Sequence, residues 1–318
     1  MIRLFLGNRS AVLFLLPFVI LIYVIVNYFT NYYQYTSYSN FGFWGKVDLS
    51  SSFVLIQIIS STFILLNAVG INAIFNWNEF LGRNSFIPAL IYVILMSYYH
   101  SFYKIDGLLI SHSALIITLY LLFKLRQNED GRKLVFNAGF FTGLAATFHP
   151  PIIGFLPFLY FMIWTIRPFL IREIILAFCG FITPLLYAGF YLMYSKTSID
   201  LQLLKVPSNY DRRKFDFLVS TGIFTLSFLL SIISIQTSAQ KSSIRLKKMV
   251  QILWWIIVTG IVLGILDYVL FKQIERFSLL MIPLSFLLTF SFTHKTWFHI
   301  ANGLFYITLI YSIVKFFL

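Results

Sequence analysis

Along the chain, stretches of 15 to 25 residues that are apolar on every face alternate with short polar connections. Ala11–Phe29 is typical: it neither alternates apolar with polar, as a half-buried strand does, nor leaves a polar helical stripe. In hydrocarbon every backbone N–H and C=O must be paired within the protein, so such runs span as helices or not at all. A barrel strand would show about ten residues of strict alternation, and none is present in the sequence. The pattern predicts an all-α, polytopic transmembrane bundle of about eleven spans: 11–30, 51–72, 85–99, 107–124, 134–148, 151–166, 170–194, 217–235, 250–271, 277–293 and 298–317. The pair 134–148 and 151–166 is short and divided only by His149-Pro150-Pro151, so it reads as a tight helical hairpin or a re-entrant pair. No linker or soluble insert interrupts the series, which predicts one transmembrane domain over 1–318.

Composition strengthens this reading. Hydrophobic residues make up 59% of the chain and charged residues 11%, against roughly 25% charged in soluble domains. Mean hydropathy is +0.85. A net charge of +13 would suggest nucleic acid in a soluble protein; in a membrane protein it reads as positive-inside bias and contact with anionic lipid headgroups, so no nucleic-acid partner is expected. Cys179 is the sole cysteine, which removes disulfide frameworks and thiolate metal sites. The first apolar stretch is too long for a signal-peptide core and no small-x-small cleavage site follows it, so it is expected to stay as the first span.

Charge also orients the bundle. With the N-terminus cytoplasmic, fourteen of the 24 Lys and Arg residues fall in inner loops and ten outside, the bias expected for a multi-pass protein of the cytoplasmic (inner) membrane. Seven of the eleven carboxylates then fall on the outer side: Asp48, Asp106, Asp200, Asp211, Asp216, Asp267 and Glu275. Tyr28, Tyr32, Tyr33, Tyr35, Tyr38, Trp44, Tyr98, Tyr99 and Tyr103 crowd there too, as an interfacial aromatic belt would.

Chemistry is therefore sought at that face. The longest outer loop, 195–216, carries Asp211-Arg212-Arg213-Lys214. Arg offers a planar fork that matches phosphate oxygens and Lys adds a point charge, so the cluster reads as an anion site or as a solvated loop paired with Asp211, Asp216 and headgroups. Asp267, Lys272, Glu275 and Arg276 bracket a turn between two late spans; Asp267 lies inside the membrane end, where an unpaired carboxylate is costly, so pairing with Lys272 or another span is expected. His100, His112 and His149 lie near outer span ends. His149 precedes two prolines that break the helix, and broken backbone at membrane depth is tolerated only when buried in protein or lining a cavity. Gln57, Asn67, Asn72, Asn137 and Asn302 read as interhelical hydrogen-bonding groups, and Gly139-x-x-x-Gly143 as a close-packing pair. His100, His112 and Asp106 match no metal-ligand spacing, so no metal is expected, and no nucleotide-binding loop or hydrolase motif occurs.

Two stretches, Arg83-Asn84-Ser85-Phe86-Ile87-Pro88-Ala89-Leu90 and Glu275-Arg276-Phe277-Ser278-Leu279-Leu280-Met281-Ile282-Pro283, each opening a span, resemble polyprenyl-phosphate-dependent glycosyltransferases of the GT-C superfamily. The chain as a whole also resembles a family of bacterial polytopic integral membrane proteins of about this length. The GT-C resemblance implies sugar transfer from a polyprenyl-phosphate carrier at the outer face. Asp48 would stand in the first-loop acid position, although it is that loop's only carboxylate and the family usually carries an acidic pair or spaced motif there. On this reading Asp48 is the general base, with Asp106 or His149 as substitutes, while Arg212, Arg213, Lys214, Lys272 and Arg276 hold the lipid phosphate. Membrane lipids and a polyprenyl-phosphate sugar would be its partners. The other classes open to the sequence are a non-catalytic subunit or scaffold of a cell-envelope complex, with protein partners there, and a secondary transporter.

Overall fold

A computed structural model describes residues 2–7, 9–33, 38–48, 53–126, 130–168, 170–195, 210–240, 244–271, 274–292 and 297–317. Its helices are α1 (Ile2–Phe5), α2 (Leu16–Thr30), α3 (Phe53–Trp77), α4 (Ile87–Met96), α5 (Gly107–Leu125), α6 (Arg132–Phe148), α7 (Leu156–Ile166), α8 (Ile171–Ser195), α9 (Tyr210–Gln240), α10 (Ile244–Phe271), α11 (Met281–Ser291) and α12 (Phe298–Val314). The only strands among the described residues form an antiparallel hairpin, β1 (Tyr38–Asn40) with β2 (Lys46–Asp48), in which Tyr38 faces Asp48.

Among the described residues six helical segments are long and apolar enough to cross a membrane: Ser10–Thr30, Val54–Trp77, Gly107–Leu125, Ile171–Ser195, Leu218–Gln236 and Ile244–Leu270. Their outward faces carry large apolar side chains such as Phe18, Leu66, Tyr187, Leu226 and Leu270, which in water would be an aggregation surface and which point to a membrane protein.

The expected spans 85–99 and 277–293 contain less helix than their apolar length suggested. Regular helix there is only α4 and α11, ten and eleven residues long. At 1.5 Å per residue neither covers a hydrocarbon core of about 30 Å. Buried 3₁₀ turns at His100–Phe102 and Glu275–Leu280 continue them. The physical reason is burial. Every residue of α4 and of α11 is buried inside the bundle, so protein rather than lipid surrounds the irregular backbone, the condition under which it is tolerated.

α6 and α8 meet backbone to backbone. A Cβ on Gly139 would stand 2.1 Å from the Ala177 carbonyl oxygen, one on Gly143 2.2 Å from that of Phe181, and one on Gly180 2.1 Å from that of Phe136. The small-xxx-small pair is thus matched by a small residue on the facing helix, and close approach of this kind is a main source of helix association in lipid.

The connections gather at two ends. At one end Phe86 N–H donates to the Phe5 carbonyl, Arg167 reaches Glu173 and the Leu125 carbonyl, and Lys248 donates to the Ile166 carbonyl. The other, the hairpin end, joins Tyr33 to Tyr98, Lys315 to Tyr33 and Ser97, and Trp44 to Thr147 and Tyr191. Each group unites residues that an eleven-fold alternation of the chain assigns to a single side.

Candidate functional site

The hairpin end holds a buried group of ionisable side chains, assembled from four connections. The first is the 97–106 segment. Asp106 lies just before α5 with extended backbone; its Oδ1 accepts from the Leu109 N–H at 2.8 Å, an N-cap that satisfies one of the helix's free donors, and its Oδ2 accepts from Ser101 Oγ at 2.7 Å. The second is the turn between α10 and α11, where Glu275 Oε2 accepts from the His100 backbone N–H at 3.0 Å. Two separate loops are thereby tied through a carboxylate, and Asp106 and Glu275 lie within electrostatic reach of each other.

Arg276 extends the group. Its Nη1 is 2.7 Å from Asp267 Oδ1, in the last turns of α10, an ion pair whose side chains are 4% and 1% exposed. Its Nε donates to His149 Nε2 at 2.9 Å. An imidazole nitrogen that accepts carries no proton, so this contact fixes the neutral His149 with its proton on Nδ1. The break at His149 is what brings the ring there: α6 ends at Phe148 and a 3₁₀ turn starts at Pro150. His112, one and a half turns into α5, bridges Ser278 Oγ and Tyr92 Oη at 3.2 Å each, and it lies near enough to His149 for the two to interact electrostatically.

The hairpin covers this group as a strap. Ser39 Oγ donates to the Ile105 carbonyl at 2.6 Å, and Lys104 Nζ donates to the Tyr38 carbonyl. Gly42 sits at φ +64°, and a Cβ there would meet the Phe148 carbonyl oxygen at 2.5 Å, so only glycine lets the strap lie this close to the end of α6. Burial and charge shift two groups beneath it. The Asp106 carboxyl is pushed up to about 6, first by burial and further by Glu275, against the opposing Leu109 and Ser101 hydrogen bonds and the Lys104 charge. Lys104 is pulled down to about 8 by burial, with the Asp106 charge opposing.

Of the residues singled out in sequence, Asp106, His149 and Arg276 share this buried group. Asp48 does not: it is exposed on β2, at the open end of the hairpin opposite Tyr38. Arg212, Arg213 and Lys214 have their backbone in the first turns of α9 while their side chains lie outside the described residues, as does all of Lys272. The partner of Asp267 is Arg276, nine residues on. Among the described residues no three His, Cys, Asp or Glu side chains are placed to hold a metal ion, the trio His100, Asp106 and His112 included. Sequence reasoning gave Ser101, Ser278 and Tyr92 no site role, and took Glu275 only as one of the charged group Asp267, Lys272, Glu275 and Arg276, open to a structural or a site role. Glu275 carried a signal, its adjacency to Arg276; a lone serine or a tyrosine in an apolar run carries none.

No protein family, curated protein or solved structure matches this chain. The functional reading therefore rests on the site.

Proposed function

We propose that the chain crosses the cytoplasmic membrane eleven times with its N-terminus inside, and that the buried group faces outward and transfers a sugar from a polyprenyl-phosphate carrier to an acceptor hydroxyl. The observation that carries the reading is the pair of buried carboxylates, Asp106 and Glu275, brought together beneath the first-loop strap with Arg276 and His149 beside them. Ionisable groups at membrane depth are costly and are retained where they work. The sorting of contacts into two ends supports the alternation, and the Lys and Arg distribution supports the orientation.

In this mechanism Asp106 takes the place that the GT-C resemblance gave to Asp48, because a base must reach the reacting proton in a water-poor site and Asp48 is exposed. The acceptor oxygen forms its bond to the anomeric carbon while the bond from that carbon to the phosphate oxygen breaks. The polyprenyl phosphate leaves with the electron pair, and the acceptor proton passes to Asp106. Arg276 exchanges Asp267 for the departing phosphate; the phosphate-holding role that the resemblance gives Arg212, Arg213, Lys214 and Lys272 falls outside the described residues. The test is transfer of labelled sugar from a polyprenyl-phosphate donor in membrane vesicles. Asp106→Asn is expected to lower transfer about 10²- to 10⁴-fold, the usual worth of a general base, while Asp48→Asn retains most of it. Full transfer by a folded Asp106→Asn protein overturns the assignment.

A second reading, a non-catalytic subunit of an envelope complex, is favoured by one observation: Asp106, Glu275 and Arg276 all have internal partners that make them structural ties. It expects stoichiometric protein partners from native membranes and no transfer by the wild type.

A further inference from the structure

The buried face of α3 carries polar side chains at intervals among the apolar Ile64, Ala68, Ile71 and Phe75. Gln57, Ser60, Asn67 and Asn72 are all buried on it, and they span about 22 Å at 1.5 Å per residue. Gln57 Nε2, Ser60 Oγ and Asn72 Oδ1 have no hydrogen-bond partner among the described residues. Orphaned buried groups of this kind are rare, because each forfeits its hydration, and buried water is the usual partner where such groups line a polar seam. The interhelical role expected for these amides is only partly met: Asn67 Oδ1 accepts from Ser113 Oγ at 2.7 Å, whereas Asn67 Nδ2 approaches the Tyr92 oxygen without closing a hydrogen bond.

Tyr92 is where the seam meets the ionisable group. Its hydroxyl contacts His112 Nδ1, and His112 Nε2 contacts Ser278 Oγ, two residues from Arg276. A neutral imidazole donates from one nitrogen and accepts at the other, and the hydroxyls on either side can do both. A proton taken up at one ring nitrogen can therefore leave from the other, with each hydroxyl turning to reset the chain. Past Asn72 the seam reaches the opposite end, where Asn76 Oδ1 accepts from the Ser85 N–H at 3.0 Å and Asn78 is buried beside it.

We propose that Ser278, His112 and Tyr92, continued by the buried polar groups spaced along α3, form a proton-conducting path between the two ends of the bundle. Histidine chains at membrane depth serve as proton relays in pumps and transporters, and a hydroxyl–imidazole–hydroxyl bridge sealed from bulk solvent is the arrangement such a relay needs. The path does not depend on sugar transfer, and its test uses no sugar donor.

The experiment reconstitutes the full chain into vesicles that hold a pH-sensitive dye, then drives protons inward with a potassium diffusion potential. Protein-containing vesicles are expected to acidify several-fold faster than protein-free vesicles. Tyr92→Phe, which removes one oxygen, and His112→Gln, which keeps hydrogen bonding but cannot shuttle a proton, are expected to fall to the protein-free rate. Gel filtration and thermal melting establish that the variants are folded, and Tyr92→Phe decides the case if His112→Gln is not. Wild-type flux equal to protein-free vesicles overturns the proposal, as does unchanged flux in folded Tyr92→Phe or equal conduction of sodium. None of these failures would touch the transfer reading, which Asp106→Asn tests separately.

Discussion

Asp267→Asn isolates the energetics of the buried centre. The substitution keeps the shape of the side chain and removes its charge, leaving the Arg276 guanidinium 4% exposed without its 2.7 Å carboxylate. Removing one partner of a buried ion pair costs about 3–5 kcal/mol, because the remaining charge keeps its desolvation penalty and loses the attraction that offset it. Here the lower bound applies. His149 Nε2 still accepts from Arg276 Nε, and in a membrane the unfolded reference state also finds partners for polar groups. The expected loss is therefore about 3 kcal/mol. Replacing both partners, Asp267→Leu with Arg276→Met, removes the charges together and is expected to recover most of that loss, since apolar groups of similar volume can substitute for a buried pair. Reversible unfolding in mixed micelles, followed by tryptophan fluorescence, gives both numbers. A single variant within about 0.5 kcal/mol of wild type, the range of ordinary surface substitutions, would refute the claim that this pair is sealed from solvent. So would a double variant no more stable than the single.

Gly143→Val places a Cβ 2.2 Å from the backbone oxygen of Phe181, which cannot swing away as a side-chain end could. α6 and α8 must part, at a cost of about 1–3 kcal/mol or more, whereas Gly303→Ala meets nothing within 4 Å and should leave the melting temperature unchanged. The Asp106 carboxyl, raised to about 6 by burial, gives a pH signature. Its base form predominates only above that value, so transfer by wild type should rise with pH through about 6 and level off. Because the folded value lies above the ordinary 3.8, the group's contribution to stability is full below the ordinary range and is lost as pH rises through about 6. Melting temperatures of wild type compared with Asp106→Asn should diverge across that window, and parallel curves would refute the burial of an ionising carboxyl.

Much of the bundle is written in local pattern. Unbroken apolar runs fix the helices because lipid leaves the backbone no other partner. The same logic marks the helix break at His149-Pro150 and the close approach at Gly139 and Gly143, where a missing donor and a missing Cβ act within one or two residues. Sequence also picked out Asp106, His149 and Arg276, and these three lie in one buried group. Three things depended on tertiary structure. Whether α4 and α11 run as full spans was decided by what surrounds them, since apolar content is the same whether a helix faces lipid or protein. The partner of Asp267 was decided by how α10 and the turn after it fold back, which the sequence left open between Lys272 and another span. Asp48 was separated from Asp106 by the strap, whose hairpin directs β2 outward while the 97–106 turn is drawn inward by Glu275. A residue's chemistry is local and legible in one letter; the company it keeps is set by contacts between segments far apart in the chain.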